Sequence, residues 1–312
     1  MSRLYKQRSA YPDPARESRM DVRAAAAPDE VVSQDSAALA ALLRDDRSAP
    51  DVGLPCFPQS AGRLQSLLGE PEVALDEVIK VLSFDAVLTG RVLQIANSAA
   101  CNAAGKRVID LRAAITRIGF DLTRSAVIAS GLKRLVEAES LAEIRPALKL
   151  IWERSASMAA TGHVLAQRFT NVRPDQAFLA GLLHGVGELY ILTRGIRHPR
   201  VLRDTRQWRA IVREWQPVFG AKVLTAWEIG DEIIDSILNY QTLERSHEGP
   251  ADLVDVMTAS YLLVGLGHAA GALDSVFDKI RIFKRMQLTL EQATAVMHDA
   301  AEEIDALRRT LG

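Results

Sequence analysis

Residues 54–100 read LPCFPQSAGRLQSLLGEPEVALDEVIKVLSFDAVLTGRVLQIANSAA. Two prolines three positions apart give this stretch an extended entry. Apolar residues then recur at helical spacing, as in Leu75, Val78 and Leu82. Asp85 is well placed to cap the helix that follows. The stretch therefore predicts consecutive amphipathic helices, and it decides the fold class.

Helix signals continue along the rest of the chain. Starts are indicated at Asp110, Asp121, Pro146 and Pro174, by capping carboxylates and first-turn prolines. Gly119 suits the end of a helix, and Thr289 with Gln292 forms a capping-box pattern. Sustained period-two alternation, the signature of strands, is missing from the sequence. We predict an all-α protein with a single multi-helix domain.

Three regions follow from this pattern. Residues 1–50 combine prolines and mixed charge without a steady apolar period, which predicts a disordered or loosely helical N-terminal arm. Residues 53–270 form the predicted domain. Residues 271–312 form a C-terminal helical extension packed on that domain.

Composition limits the classes of function. The net charge of −1 provides no overall field that would attract nucleic acid or anionic lipid. Two cysteines, Cys56 and Cys101, are too few for a structural zinc site or a disulfide framework, so reduced thiols in a cytoplasmic protein are expected. The charged N-terminus does not resemble a signal peptide. Residues 256–273 lack charged side chains, but their polar residues and glycines favour a buried helix with its ending loop over a membrane span.

Several separated motifs resemble the HDOD domain family. The paired prolines of residues 54–100 and the Asn97-Ser98 pair carry the first part of the resemblance. AITRIGFDLTRSAVIAS, IWERSASMAA, AFLAGLLHGVGELYIL and AWEIGDEIIDSILNY continue it in the family's order. The resemblance covers about residues 53–265. It implies a degenerate relative of the HD metal-dependent phosphohydrolases, a family read as regulatory output modules in bacterial signalling.

The resemblance also places the remains of a metal site. The first histidine of the HD pattern would fall at Arg154, the His-Asp pair at His184-Gly185, and the last aspartate near Ser260. A His-His pair found in many relatives is replaced by Asn239-Tyr240. The predicted vestigial pocket comprises Arg154, His184, Gly185, Glu188, Asn239, Tyr240 and Ser260. Because a lone imidazole beside a permanent guanidinium holds a cation poorly, we predict no metal, no cofactor and no catalytic residue.

An alternative keeps a metal in a rearranged site. Glu188 follows His184 by four residues, and His163 lies on the preceding helix, so either could supply a further ligand. However, Gly185 and Gly187 can end or kink the helix between the first two. Under this alternative the protein is a metal-dependent phosphohydrolase or phosphodiesterase. Another alternative is a nucleotide sensor without turnover, in which Arg154 meets a phosphate.

Arginines are concentrated in one short segment. They are Arg194, Arg197, Arg200, Arg203, Arg206, Arg209 and Arg213, opposed by Asp204 and Glu214. Their spacing of three residues is shorter than a helical turn of 3.6 residues, so they do not form one stripe along a helix. They form either an anion-contacting surface or a solvated helix with local ion pairs. Trp208 could anchor a partner, although tryptophan is more often a core residue.

The sequence thus predicts a non-catalytic regulatory protein that acts through protein-protein contacts. Its expected partners are signalling proteins, such as members of second-messenger or two-component pathways, with no DNA and no membrane. The predicted contact residues are Arg197, Arg200, Arg203 and Trp208. The oligomeric state is left open.

Overall fold

The computed structural model describes four long segments, residues 34–49, 73–97, 105–266 and 280–311. It also describes Leu54, Leu64, Leu67, Leu68, Cys101, Asn102 and Phe277. The helices are α1 (Gln34–Ser48), α2 (Leu75–Ser83), α3 (Ala86–Ala96), α4 (Leu111–Glu137), α5 (Arg145–Phe169), α6 (Pro174–Leu183), α7 (Val186–Gly195), α8 (Pro199–Arg203), α9 (Thr205–Ala226), α10 (Asp231–Asn239), α11 (Leu253–Leu266), α12 (Arg281–Arg285) and α13 (Leu290–Leu311), with a 3-10 helix at Glu139–Ile144. No strand occurs in these segments, which confirms the all-α prediction.

The predicted caps account for where several helices begin. The Asp85 carboxylate accepts hydrogen bonds from the first backbone N–H groups of α3, and Asp110 does the same for α4. At α13, the Thr289 backbone N–H donates to the Gln292 side chain at 2.8 Å, and the Gln292 backbone N–H donates to the Thr289 hydroxyl at 3.2 Å. These bonds confirm the capping box.

Gly119 interrupts α4 without ending it. Its φ of 76° and ψ of 171° lie outside the helical region, so the chain bends there and continues as helix on both sides. A side chain at this φ would be strained, which explains the need for glycine. The predicted helix end at this position is therefore a sharp kink.

Two apolar cores lie on either side of this kinked helix. The smaller contains residues from Leu64 to Val127, and the larger contains most buried residues of α5–α11 and of the C-terminal helices. Val127 belongs to the smaller core and Ile128 to the larger, so α4 is shared by both. This shared helix joins the two cores into one helical domain.

The central helix is α5, which packs against α6, α11 and α13. Its approach to α6 is very close, because a Cβ added to Gly181 would lie 2.5 Å from the Ala159 Cα. A Cβ added to Gly187 would overlap the backbone of Gln216, where α7 crosses α9. These small residues allow the close crossings that place α5, α7 and α9 around one site.

The N-terminal boundary predicted from the sequence needs correction. Residues 34–48 form α1, whose Leu39 and Leu43 are completely buried in the larger core. The Asp46 carboxylate accepts from the Tyr190 hydroxyl at 2.8 Å and from the Arg194 Nε at 2.7 Å. The predicted arm therefore cannot extend to residue 50, and residues 1–33 lie outside the described part of the chain. Helical propensity alone did not reveal this docking, since distant residues provide it.

The C-terminal helices are packed on the larger core, as the sequence predicted for the described part of 271–312. Asp255 on α11 has a side chain that is 1% exposed, and it accepts both Arg285 Nη1 bonds at 3.2 Å. Arg285 also donates to the His247 carbonyl at 3.0 Å. These bonds attach α12 to α11 and to the loop before it.

The predicted buried helix within 256–273 corresponds to α11, which ends at Leu266. Residues 267–273 lie outside the described part of the chain. None of the described helices combines the length and the apolar character needed to cross a membrane.

Candidate functional site

Three helices bring the central residues of the predicted pocket together. Arg154 lies on α5, His184 is the C-terminal cap of α6, and Glu188 lies in the first turn of α7. The chain turns at His184-Gly185, so α6 and α7 are separate helices and the predicted interruption is confirmed. This turn directs Glu188 toward α5.

His184 is a buried, neutral side chain. Only 1% of the residue is exposed, and Nδ1 lies 2.7 Å from the Gly181 carbonyl oxygen. Because a carbonyl only accepts, Nδ1 carries the proton and Nε2 is the unprotonated nitrogen. Burial, followed by the charge of Arg154, lowers the pKa of His184 to about 3. The ring packs edge-on against Tyr240, with 5.8 Å between centroids.

Arg154 forms a hydrogen-bonded ion pair with Glu188. The Glu188 side chain is 4% exposed, whereas that of Arg154 is 34% exposed and reaches the surface. A buried carboxylate needs a compensating cation, and the guanidinium provides it as a permanent charge. The positive charge at the centre of this site is therefore part of the protein.

Gly185 is tightly enclosed by α5. A Cβ at this position would lie 2.9 Å from the Ile151 Cγ2 and 3.1 Å from the Ser155 Oγ. The aspartate of an HD pair would need space that these two side chains fill. Both the ligand and the room for it are therefore absent at this position.

The donor set does not suit a divalent metal. Its candidate ligands are the His184 Nε2 and the Glu188 carboxylate, and that carboxylate is bound by Arg154. A metal beside the guanidinium would meet strong electrostatic repulsion. Structural and catalytic metal sites generally use at least three protein ligands, which this arrangement does not offer.

The remaining residues predicted for the pocket fall into two groups. Tyr240 is buried against His184, and burial raises its pKa. Asn239 instead donates its amide to Asp235, and Ser260 donates its hydroxyl to the Val256 carbonyl. The bonds of these two residues stay within their own helices, so the structure does not link them to His184 by hydrogen bonds.

His163, the other suggested ligand, belongs to a different environment. Nine residues separate it from Arg154 along α5, or about 13 Å of helix axis. Its ring packs edge-on against Phe178, with 6.3 Å between centroids. The rearranged metal site therefore loses its third ligand.

Sequence reasoning missed Gln216 on α9. Its side-chain amide donates to the His184 carbonyl oxygen at 3.2 Å, and it also interacts with the Tyr240 hydroxyl. No motif signals this contact, because it arises where α9 crosses α7. Gln216 thereby connects the central site to the helix that carries several of the clustered arginines.

A second group of potential metal ligands was also missed. His247, Asp252 and Asp255 offer ligand atoms within 4.8 Å of one another. Arg245 and Arg285 bind the same carboxylates. Because guanidinium groups take the positions where an ion would sit, this cluster is an ion-pair network that holds α11 and α12.

The arginine cluster is spread over three helices. Arg194 lies on α7, Arg197 lies between α7 and α8, and Arg200 and Arg203 lie on α8, while the last three arginines lie on α9, which Asp204 caps. Arg197, Arg200 and Arg203 are exposed, and Arg200 alone of these three has an ion pair among the described residues, with Asp35 at 3.8 Å. The predicted role of Trp208 as a contact residue is wrong. Only 6% of this residue is exposed, and its ring packs near Gly195 in the larger core.

Comparison with known proteins agrees with this architecture. A family model for the HDOD domain matches residues 54–243. The chain belongs to the HDOD domain family. The expected family is therefore confirmed. The matched residues include every member of the predicted pocket except Ser260.

The sequence is only distantly similar to a curated protein. An uncharacterised protein of Treponema pallidum is 21% identical over 229 residues, which are 68% of this chain and 42% of that protein. The chain thus spans less than half the length of the curated relative it matches.

Solved structures share the fold. A Shewanella amazonensis protein, provisionally described as a metal-dependent phosphohydrolase, has a TM-score of 0.69 at 21% identity, covering 89% of this chain and 99% of its own. A Marinobacter aquaeolei protein, provisionally described as a signal transduction protein, has a TM-score of 0.57 at 18% identity, covering 90% of this chain and 66% of its own. These two proteins resemble this chain in architecture alone, at 21% and 18% identity.

Removing Arg154 should expose how much the fold relies on its ion pair. Arg154→Met leaves a buried carboxylate without its partner, so we expect the free energy of unfolding to fall by about 3–5 kcal/mol. Adding Glu188→Gln should recover part of this loss, because the amide carries no charge. Urea denaturation followed by circular dichroism measures both. Arg112→Met, which breaks an exposed ion pair with Asp76, serves as the control and should cost within about 1 kcal/mol. A double variant as unstable as Arg154→Met would contradict this account.

Acid should destabilise the protein through His184. The pKa of His184 in the folded protein, about 3, is below its ordinary value of 6.5, so the unfolded chain binds the extra proton between these values. The stability from neutral His184 is complete above pH 6.5 and is lost progressively as the pH falls toward 3. Between pH 7.5 and 5.5 we expect the free energy of unfolding of the wild-type protein to fall by about 1.4 kcal/mol through His184. The His184→Gln variant should lack this contribution. His298→Gln, which alters an exposed histidine, is the control, and equal pH slopes in wild type and His184→Gln would refute the assignment.

Proposed function

We propose that this HDOD protein is a non-catalytic signal-transduction protein that acts through contacts with partner proteins. The observation that carries the proposal is the Arg154–Glu188 ion pair at the centre of the former HD site. A guanidinium stands where the family pattern has its first metal-binding histidine, and it satisfies the buried carboxylate itself. The site keeps its packing role while its ligand set is incompatible with metal-assisted hydrolysis.

Exposed arginines support action by contact. Arg197, Arg200 and Arg203 lie around a short surface region of α7, α8 and α9. Arg200, Arg203 and Arg206 line a shallow depression together with Thr205 and Asp204, the carboxylate that caps α9. Guanidinium groups bind carboxylates and phosphates in paired geometry, so this surface suits an acidic face of a partner protein. We propose no DNA partner, because the net charge of −1 gives the chain no overall field that attracts nucleic acid. We propose a cytoplasmic location, because the two cysteines of the chain are too few for a disulfide framework.

A nucleotide sensor without turnover is the second candidate. It is favoured by the 34% exposure of Arg154, which leaves part of the guanidinium within reach of a phosphate at the surface. Thermal-shift measurements with cyclic dinucleotides distinguish it from the main proposal. Stabilisation that requires Arg154 and yields no product would support the sensor.

Metal analysis tests the loss of catalysis. We expect purified protein to contain far less than one equivalent of Mn, Fe, Co, Ni or Zn, and to hydrolyse no member of a panel of phosphomonoesters and cyclic nucleotides. The reason is that two donors beside a guanidinium hold an ion poorly. Elemental analysis before and after metal loading gives the stoichiometry. A full equivalent that disappears in His184→Ala, together with hydrolysis, would establish the phosphohydrolase and overturn the proposal.

Charge reversal tests the contact surface. Replacement of Arg197, Arg200 and Arg203 by glutamate should abolish capture of specific partners from native lysate, because acidic partner groups would then be repelled. A matched triple reversal at Arg44, Arg281 and Lys284, all exposed and located elsewhere, should leave capture unchanged. Quantitative mass spectrometry compares the three baits. Equal recovery with wild type and the first variant would remove this surface from the proposal.

A further inference from the structure

The smaller core carries an exposed apolar surface that the proposed function does not use. Phe84 is 85% exposed, Ile109 is 81% exposed and Val87 is 52% exposed, the highest values among the large apolar side chains described. Phe84 lies between α2 and α3, Val87 lies in the first turn of α3, and Ile109 precedes α4. Large apolar side chains that remain exposed on a folded surface are typical of protein interaction sites.

A groove of about 780 Å³ lies between α3 and the extended segment 105–109. Gly90, Leu93 and Asn97 line it from the helix, and Arg107 and Ile109 line it from the segment. Val87 and Gly90 are three residues apart and share a face of α3, so the exposed valine extends this surface along the helix.

Hydrogen bonds hold the two walls together. The Asn97 amide donates to the Val108 carbonyl oxygen at 2.7 Å, and the Val108 backbone N–H donates to the Asn97 Oδ1 at 2.7 Å. Arg117 donates to the carbonyl oxygens of Ala96 and Lys106, at 3.1 and 3.0 Å. The groove is therefore preformed, which reduces the entropy cost of binding a ligand.

Gly90 makes close approach possible in the middle of the groove. A Cβ added at this position would meet nothing within 4 Å, so packing inside the protein does not demand glycine here. Glycine also weakens a helix relative to alanine. An open helix position without a side chain allows the backbone of another molecule to come near.

The charges at one end of the groove indicate the nature of that molecule. Lys106, Arg107 and Arg117 form no ion pair with any residue of the described segments. Asp110, the nearest carboxylate along the chain, accepts the Ala113 backbone N–H as the cap of α4. Within the described part of the chain, the groove thus combines an apolar edge with a positive end whose charges are not paired with carboxylates.

We propose that the groove between α3 and residues 105–109 binds an amphipathic, acidic segment of a partner protein. Apolar side chains of this segment cover Phe84, Val87 and Ile109, and its carboxylates meet Lys106 and Arg107. Helix-in-groove recognition of this kind uses apolar anchors for affinity and flanking charges for orientation. The surface is separate from Arg197, Arg200 and Arg203, so this proposal stands or fails independently of the contact surface proposed above.

Fluorescence anisotropy with designed peptides tests the proposal on the full chain. One labelled helical peptide has leucines along one face and glutamates on the other, a second has lysines in place of glutamates, and a third has the first composition scrambled. We expect saturable binding of the glutamate peptide alone, weakened by added salt. Phe84→Ser, Ile109→Ser and Arg107→Glu should each reduce its affinity by about tenfold.

Matched variants control for general effects. Leu243→Ser alters an apolar side chain that is 47% exposed elsewhere, and Arg281→Glu alters an exposed arginine on α12. Both should bind the peptide as wild type does. All substituted side chains are exposed, and unchanged thermal unfolding verifies that each variant is folded. The two serine variants are assessed separately, so a folding defect in one leaves the other decisive.

Three results would overturn the proposal. The first is equal binding of the glutamate and lysine peptides, or of the glutamate peptide to wild type and all groove variants. The second is a dimer in sedimentation velocity that Phe84→Ser dissociates, which would assign the surface to a second copy of this chain. The third is tighter binding of labelled single-stranded RNA than of the glutamate peptide, lost in Arg107→Glu, which would assign the groove to nucleic acid.

Discussion

A buried carboxylate constrains the centre of this molecule. Glu188 lies in the first turn of α7 with 4% of its side chain exposed, where an unpaired negative charge would be strongly unfavourable. Arg154 from α5 supplies the compensating charge and keeps it at every accessible pH. Burial, reinforced by the positive charge of Arg154, lowers the pKa of His184 and favours its neutral form. The ion pair makes the site a poor one for a metal, while it ties α5 to α7.

Close helix crossings make this arrangement possible. Gly181 allows α6 to approach Ala159 on α5, and Gly187 allows α7 to approach Gln216 on α9. The Ile151 and Ser155 side chains of α5 enclose Gly185 and leave no room there for an aspartate side chain. Apolar contacts and the ion pair hold these helices together without any bound group. Under the proposed function, the scaffold offers its surfaces, rather than its centre, to other molecules.

Much of the fold and part of the site could be predicted from local patterns. Asp85, Asp110 and the Thr289-Gln292 pair act as caps because capping depends on residues within one helical turn. Gly119 was recognisable as a break, because glycine is the residue that adopts a positive φ at little energetic cost. The residues Arg154, His184 and Glu188 could be nominated by motif. Their mutual geometry depends on how separate helices cross, whereas His163 is distant from Arg154 because both lie on α5, nine residues apart.

The sequence by itself determined that the chain is helical, where several of its helices begin, and which family pattern it carries, because these follow from periodicity, caps and ordered motifs. Tertiary structure decided that Trp208 is a core residue, that α1 is docked by Asp46, that Phe84 remains exposed, and that Ile109 remains exposed beside a groove. A side chain's burial depends on the elements packed over it, and those elements come from distant parts of the chain. The charge of Arg154 was evident in the sequence, but only the meeting of α5 with α7 paired it with Glu188.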